Sequence, residues 1–500
     1  MHDLLPYISA QLNTVINGLA FFMPELYLSV LFLLVLINDI VLGRESAKLC
    51  RYLAIGGLLV VIFKDFQQLP MAQRDQMQSL FGGMLALNHL SLVLKFIIDV
   101  TAIGLIVYMP WDNKLAAHPK RLSDLYSITI GSILGLHLMV MAVNLLSVYL
   151  AIEMVSIASY LMVAYRSENA FSSEAGVKYV LFGAAASAVM LYGISLLYGF
   201  TGNLNLISDG FVEGIKHGNQ LAVSLAILLV LAGIGFKLSF VPIHFWVPDV
   251  YQGAPTPVTA YLSTLPKIAA FGLLINFLTP FIFMAGFQGL DFVILLSVVG
   301  IITMIAGNFA AIMQDNMKRM LAYSSIGHTG FALMAIVAFS SQGVSAMAYY
   351  LFVYALANVA ALALASYFAN AENAENASQL NGLGLKYPLA SVCFVIVLIS
   401  LTGLPVSAGF TGKLFVFSAA YTAWQHAHNI WLMLMMITGA LTTVVSLFYY
   451  LKIPLNLFLK KSDNVTPGKY RSTGLMTMVV VMVILILLLG IFPDKLLQYF

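Results

Sequence analysis

Apolar residues fill this chain in runs of about 20, each long enough to cross a ~30 Å hydrocarbon core as a helix. The runs recur from end to end and predict about fourteen transmembrane helices. The first covers 22–42, the third 82–109, the fourth 124–143, the fifth 145–165, the seventh 221–247 and the eighth 256–282. Further on, the tenth covers 319–339, the eleventh 344–369, the twelfth 388–422 and the last 473–497. The polar stretch ANAENAENASQLNG, residues 369–382, reads as an exposed linker.

The exceptions to this pattern carry the chemistry. Lys237 lies deep in the seventh span, shortly before Pro242 and His244, and Lys267 directly follows Pro266 in the eighth. A charge at the bilayer centre costs about 2.5–3.5 kcal/mol even on insertion scales, so it faces protein or a water-filled path. Proline has no N–H and leaves the carbonyl four residues earlier unpaired. Those carbonyls belong to Leu238 and Leu262, and broken backbone at membrane depth is tolerated only where protein or water shields it. The twelfth span repeats the device in SLTGLPVSAGFTGKLFVF, where Pro405 frees the Leu401 carbonyl ahead of Lys413. The seventh and twelfth spans are five apart. Two five-helix repeats follow, spans four to eight and nine to thirteen, and an odd repeat length inverts the second copy. Broken helices at matching places of inverted repeats point to a transport site.

Other polar positions are read more plainly. Glu153 is the one charge deep in the fifth span, with no neutralising neighbour in sequence, so its partner is expected from another helix, the buried lysines first. Burial favours the neutral forms of such a pair and attraction the charged ones, so the two compete at one site. Lys95 and Asp99 stand four apart on one helix face and are expected to pair. Glu25 and Asp39 lie near span ends and are given interfacial roles. Histidine titrates near neutrality; His328 is a candidate relay, whereas His137 is expected to be a hydrogen-bonded packing residue. The Gly, Ala and Ser positions of the sixth span allow close helix approach, and Lys178 at its end reads as an interfacial anchor.

With 500 residues, 61% hydrophobic and 9% charged, the composition is that of a polytopic membrane protein. Two cysteines, Cys50 and Cys393, are too few for an iron–sulfur cluster and lack zinc spacing. No Gly-rich phosphate loop follows a predicted strand, so redox cofactors are expected in other chains. The first 20 residues show no cleavable signal pattern. Of 24 Lys and Arg, 16 fall in loops after odd-numbered spans. That bias puts both termini on the non-cytoplasmic side.

Five segments carry a family resemblance: PELYLSVLFLLVLIND, EAGVKYVLFGAAASAVMLYGISLLYGFTGNLNL, FKLSFVPIHFWVPDVYQGAPTPVTAYLSTLPKIAAF, QDNMKRMLAYSSIGHTGF and SLTGLPVSAGFTGKLFVF. They resemble the antiporter-like membrane subunits of respiratory complex I, NADH:quinone oxidoreductase, most closely the subunit N branch. The resemblance implies an all-α fold of fourteen helices with two inverted repeats: residues 1–120 as a three-helix segment, 121–285 and 286–455 as the repeats, and 456–500 as the last helix. It further implies proton transfer by Glu153, Lys237, Lys267 and Lys413, with His328 and His244 as relay candidates. No cofactor is expected on this chain; NADH, FMN, iron–sulfur clusters and quinone belong to partner subunits. The expected partners are other membrane subunits of the complex and the lipid bilayer, with no nucleic acid, and the expected location is a bacterial inner membrane. A cation/proton (Na⁺/H⁺) antiporter subunit would use the same lysines and is the alternative. A pure scaffold would have no use for them.

Overall fold

A computed structural model describes residues 5–43, 46–70, 77–118, 122–460, 470 and 472–500. The first four residues of the leader lie outside these, as do Arg44, Arg74, Lys120, Arg121, Lys461, Lys469 and Arg471 of the charge count and the expected boundary at 120/121. The chain begins with α1 (Leu5–Phe21), α2 (Met23–Leu42) and α3 (Ala47–Gln68), then a small hairpin of β1 (Gln78–Leu80) and β2 (Leu85–Leu87). Next come α4 (His89–Tyr108), α5 (Asn113–Ala116), α6 (Ser123–Met141), α7 (Leu145–Val163) and α8 (Ala170–Thr201). After them lie α9 (Asp209–His217), α10 (Gln220–Leu238), α11 (Trp246–Gly253) and α12 (Thr256–Thr279). The second half holds α13 (Phe292–Ile312), α14 (Met317–Val337), α15 (Ser341–Glu372), α16 (Leu383–Lys386), α17 (Pro388–Thr402) and α18 (Ala408–Ala427). It ends with α19 (Ile430–Pro454), α20 (Thr473–Ile491) and α21 (Asp494–Leu497).

Among the described residues, 12 helices are long and apolar enough to cross a membrane. The expected count of about fourteen is therefore not matched by length and hydropathy alone. Two expected spans fall outside that set: α3, which carries Lys48, Arg51, Lys64 and Asp65, and the twelfth, which is split into α17 and α18. The third span also begins later than its apolar run suggests. Gly82 and Gly83 turn the chain at φ +68 and +84, and a Cβ on Gly83 would lie 2.1 Å from the Asn205 amide. Leu85 and Leu87 therefore belong to a strand, and the helix starts only after Asn88, whose side chain caps Ser91 N while Ser91 Oγ bonds Asn88 N.

The core is built on α15, which packs against α4, α12, α14, α17, α18 and α20. Its residues from Ala346 to Phe368 are buried throughout. A helix that is apolar all round is one surrounded by other helices.

Both expected helix breaks are present, but neither proline lies inside a helix. The α10 helix ends at Leu238, where Ser239 (φ 64) reverses the chain, with Phe240 N bonded to Gly235 O (2.9 Å) and Ser239 N to Phe236 O (3.2 Å). The α17 helix ends the same way at Gly403 (φ 86), with Leu404 N bonded to Ile399 O (3.2 Å) and Gly403 N to Ser400 O (3.0 Å). This paired closure satisfies carbonyls at a helix end, so the helix stops before Pro242 or Pro405 can open it. Matching positions recur elsewhere. Asn144, the cap of α7, bridges Asn205, and Asn316, the cap of α14, bridges Asn376.

Candidate functional site

Lys237 sits in the last turn of α10, 3% exposed, and its ammonium makes no hydrogen bond among the described residues. It lies instead over the rings of Tyr160 (6.0 Å), Tyr179 (5.6 Å) and Phe236 (5.8 Å). Such contacts contribute about 0.5–2 kcal/mol each, which only partly offsets the burial of a charge. Tyr179 stacks on Trp246 at 4.6 Å, so the cage is continuous with the second half of the broken span. The Trp246 indole Nε1 in turn donates to Phe236 O at 3.2 Å, one of the carbonyls at the end of α10. Trp246→Phe removes that donor while keeping the aromatic shape. Because Phe236 O keeps its bond from Ser239 N, we expect the change to cost about 0.5–1.5 kcal/mol, the net worth of one hydrogen bond, read as a lower melting temperature of the assembled complex.

The remaining basic groups converge on α14. Lys267 Nζ donates to Ser325 O (3.0 Å), Ser325 Oγ (2.6 Å) and Thr329 Oγ1 (3.0 Å). Pro266 beside it interrupts α12, and the Leu262 carbonyl it frees accepts from Tyr251 OH at 3.1 Å, as a shielded break requires. On the same turn of α14, His328 Nδ1 meets Tyr350 OH at 2.6 Å and its Nε2 meets Tyr450 OH at 3.2 Å. Tyr450 OH also bonds Ser324. A cavity of about 10 Å³, lined by His328, Tyr350, Tyr354, Leu401 and Lys413, lies beyond; this is room for about one water. On its far side Lys413 Nζ donates to Thr402 O at 2.7 Å, the last carbonyl of α17, and lies 4.6 Å from the Phe331 ring. The arrangement places two hydrogen-bonded sets side by side, Lys267 with Ser325 and Thr329, and His328 with Tyr350, Tyr450 and Ser324, with the cavity at Lys413 beyond them. No hydrogen bond among the described residues joins Lys237 to Lys267.

Two expected residues stand apart from this line. Among the described residues Glu153 forms no ion pair with Lys237 or another lysine; its carboxylate accepts from Ser187 on α8, and the aromatic cage lies against Lys237. It is half-buried on α7, whose Leu150, Ile157 and Leu161 are exposed. His244 lies in the broken segment between α10 and α11, half-buried against Phe245, and its Nδ1 has no hydrogen-bond partner among the described residues.

In the first turn of α11, Asp249 bridges Lys178 of α8 (2.8 Å) and Arg319 of α14 (2.6 Å), so Lys178 ties helices together rather than only anchoring one. A cavity of about 300 Å³ opens nearby, lined among others by Asp112, Lys114, Arg166, Gln252, Lys318 and Glu375. Burial works to raise the Glu375 carboxyl, but Lys114, Lys318 and Arg166 outweigh it and hold it below its ordinary range.

Five more titratable side chains gather where none was expected. Lys95 does not pair with Asp99; it pairs with Glu25 and with Asp65 (3.5 Å). His137 is hydrogen-bonded at both ring nitrogens, to Glu25 through Nδ1 (3.2 Å) and to Asp99 through Nε2 (3.1 Å). The i,i+4 rule describes an isolated helix, and here α2, α3 and α6 supply nearer partners. The signal available in the sequence was depth: all five residues lie within three turns of the same ends of their spans.

A many-helix membrane fold with two broken helices, each next to a buried lysine, defines an antiporter-like transport subunit. Residues 142–443 match the family described as NADH:quinone oxidoreductase/Mrp antiporter, TM. The chain is 36% identical to the NADH-quinone oxidoreductase subunit N 2 of Chloroherpeton thalassium, covering 94% of this chain and 91% of that one. It is also 36% identical to NADH-quinone oxidoreductase subunit N of Chlorobium chlorochromatii, over 91% of this chain and 88% of the relative. Among solved structures, a chain of respiratory complex I from Thermus thermophilus with bound aureothin matches with a TM-score of 0.76 at 29% identity, covering 95% of this chain and 98% of that one. The chain belongs to the subunit N family of NADH-quinone oxidoreductase.

Proposed function

We propose that this chain is the proton-translocating membrane subunit N of NADH:quinone oxidoreductase, in which Glu153, Lys237, Lys267, His328 and Lys413 move protons while redox chemistry proceeds in partner subunits. The observation that carries the reading is the line from Lys267 through Ser325, Thr329 and His328 to the cavity at Lys413. A proton leaving Lys267 has hydroxyl acceptors within 3.0 Å. His328 and Tyr350 stand next, and Lys413 ends the line. Lys237, held by rings and by the more distant charge of Glu153, is the loading point; a change in the field at Glu153 alters how firmly the proton stays on it. Moving one charge across 100 mV takes about 2.3 kcal/mol, and the coupled reaction elsewhere in the complex supplies it.

Residues 121–285 and 286–455 form the inverted repeats in this reading, flanked by 1–120 and 456–500. Support comes from the two like helix closures at Ser239 and Gly403 and from the bridges Asn144–Asn205 and Asn316–Asn376, each pair five spans apart. Both termini face away from the cytoplasm of a bacterial inner membrane. The cavity at Lys318 and Glu375 then lies on the cytoplasmic side as an entry point. The chain holds no redox cofactor itself and works beside other membrane subunits, as its relatives do.

The test is a mild-detergent pull-down of the tagged chain. Flavin- and iron–sulfur-containing subunits with NADH:quinone activity are expected in the eluate. Recovery of small hydrophobic subunits alone, with no NADH oxidation, would overturn the reading in favour of a cation/proton antiporter.

A further inference from the structure

The cluster of Glu25, Asp65, Lys95, Asp99 and His137 lies outside residues 142–443, where the antiporter family matches, and outside the relay described above. Four helices build it: α2, α3, α4 and α6. Glu25, Lys95, Asp99 and His137 are 0% exposed and Asp65 2%. Among the described residues, the other helices packed on α4 and α6 add no charged partner: α7 meets α6 through Met154 and Val155 at Gly135, and its Glu153 is bonded to Ser187 of α8. On α12, Gly272 faces Leu94 and Val140, and Asn276 bonds the Val140 and Ala142 carbonyls. On α15, the contact is Leu362 O with Tyr108 OH, and on α20 it is Met482 against Gly104.

The charges do not balance. Three carboxylates, one ammonium and a neutral imidazole leave two uncompensated negative charges in a dry interior, where an unpaired charge is far costlier than a paired one. With Glu25 and Asp99 both ionised and so able only to accept, His137 donates from each ring nitrogen, which makes it an imidazolium. One negative charge remains. Asp65 is where it is least supported: neither of its oxygens accepts a hydrogen bond, and its only ion-pair partner is Lys95 at 3.5 Å, which is closer to Glu25. Asp99 Oδ2 likewise has no donor. One atom each of Asp65, Asp99 and His137 lies within 4.8 Å of the others. An acid O–H on Asp65 therefore has an acceptor waiting in Asp99 after a small side-chain rotation.

We propose that this cluster is a second proton-binding site, holding two exchangeable protons at neutrality, one on His137 and one on Asp65. With both in place two carboxylates face two cations and the net charge is zero. A proton given up by Asp65 leaves the site as hydronium and restores the single negative charge, and uptake reverses it. The site lies within three turns of the helix ends that face away from the cytoplasm, an assignment of side that rests on the proposed orientation. It also has a polar neighbour toward the first repeat. Ser132, on the same helix as His137 and about 7.5 Å along its axis, bonds Tyr261 of α12, which lies 3.4 Å from Ser159 of α7.

The test is the infrared difference spectrum of the assembled complex between acidic and alkaline pH. The wild type is expected to show the carbonyl band of a buried protonated carboxylic acid, and Asp65→Asn to lose the whole of that band. Asp65→Glu should restore it at a shifted frequency. If Asp65→Asn fails to assemble, Asp65→Glu alone decides: a shifted band supports the site, an unshifted one overturns it. An identical band in wild type and Asp65→Asn overturns the proposal. So does one non-iron divalent cation per chain that is lost in the variant, because a metal would then balance the charge. The band needs no NADH turnover, so its absence leaves the lysine relay untouched, and a failed relay leaves this site untouched.

Discussion

Replacing Lys237 with alanine in the assembled complex lowers the number of protons moved per NADH oxidised and slows coupled NADH oxidation by about tenfold or more, equivalent to ~1.4 kcal/mol on the rate-limiting step. Replacing it with arginine has the same effect. Among the described residues Lys237 has no hydrogen bond, and its ammonium lies over three aromatic rings, so a purely structural lysine there would be satisfied equally well by a guanidinium, which binds ring faces at least as strongly. A guanidinium does not give up its proton in a protein. The pair of variants therefore separates a charge that holds helices from a group that exchanges a proton. The measurement is proton uptake against NADH oxidation in proteoliposomes. Recovery of the wild-type ratio in Lys237→Arg would remove Lys237 from the relay.

Much of this site was legible because lysine in an apolar run is expensive wherever it falls. Lys237, Lys267 and Lys413 stood out on that ground alone, and the structure buries all three. The breaks near Pro242 and Pro405 were legible as places, though not in form. Pro266 behaves as the simple rule says, with Tyr251 covering the Leu262 carbonyl, whereas the other two helices end in left-handed residues before their prolines arrive. What failed was pairing. Glu153 was expected to meet one of the buried lysines, but among the described residues its carboxylate bonds Ser187, while tyrosines from α7 and α8 lie against the Lys237 ammonium, and hydropathy gives no notice of an aromatic cage. Lys95 was matched to Asp99 by helical spacing, although Glu25, Asp65 and His137 lie at the same depth on other helices. Local spacing is a rule about one helix, and a buried charge is satisfied by whichever helix is nearest.

Lys413 tests whether capping and proton transfer can be told apart in one residue. Its ammonium donates to the Thr402 carbonyl at the broken end of α17, and its stem runs so close to Gly403 that a Cβ there would lie 2.7 Å from Lys413 Cδ. Lys413→Ala removes the donor and the titrating group together. It should lower stability by about 1–3 kcal/mol, since a buried carbonyl loses a charged partner, and should abolish proton transfer through this subunit. Lys413→Arg keeps a donor for the carbonyl and a cation for the Phe331 ring, 4.6 Å away in the native protein. It should therefore recover most of the lost stability, read from the temperature at which the subunit leaves the complex, and recover none of the pumping. Recovery of both would make Lys413 a cap for a broken helix and would end the relay at His328. Recovery of neither would mean that the guanidinium does not fit against Gly403.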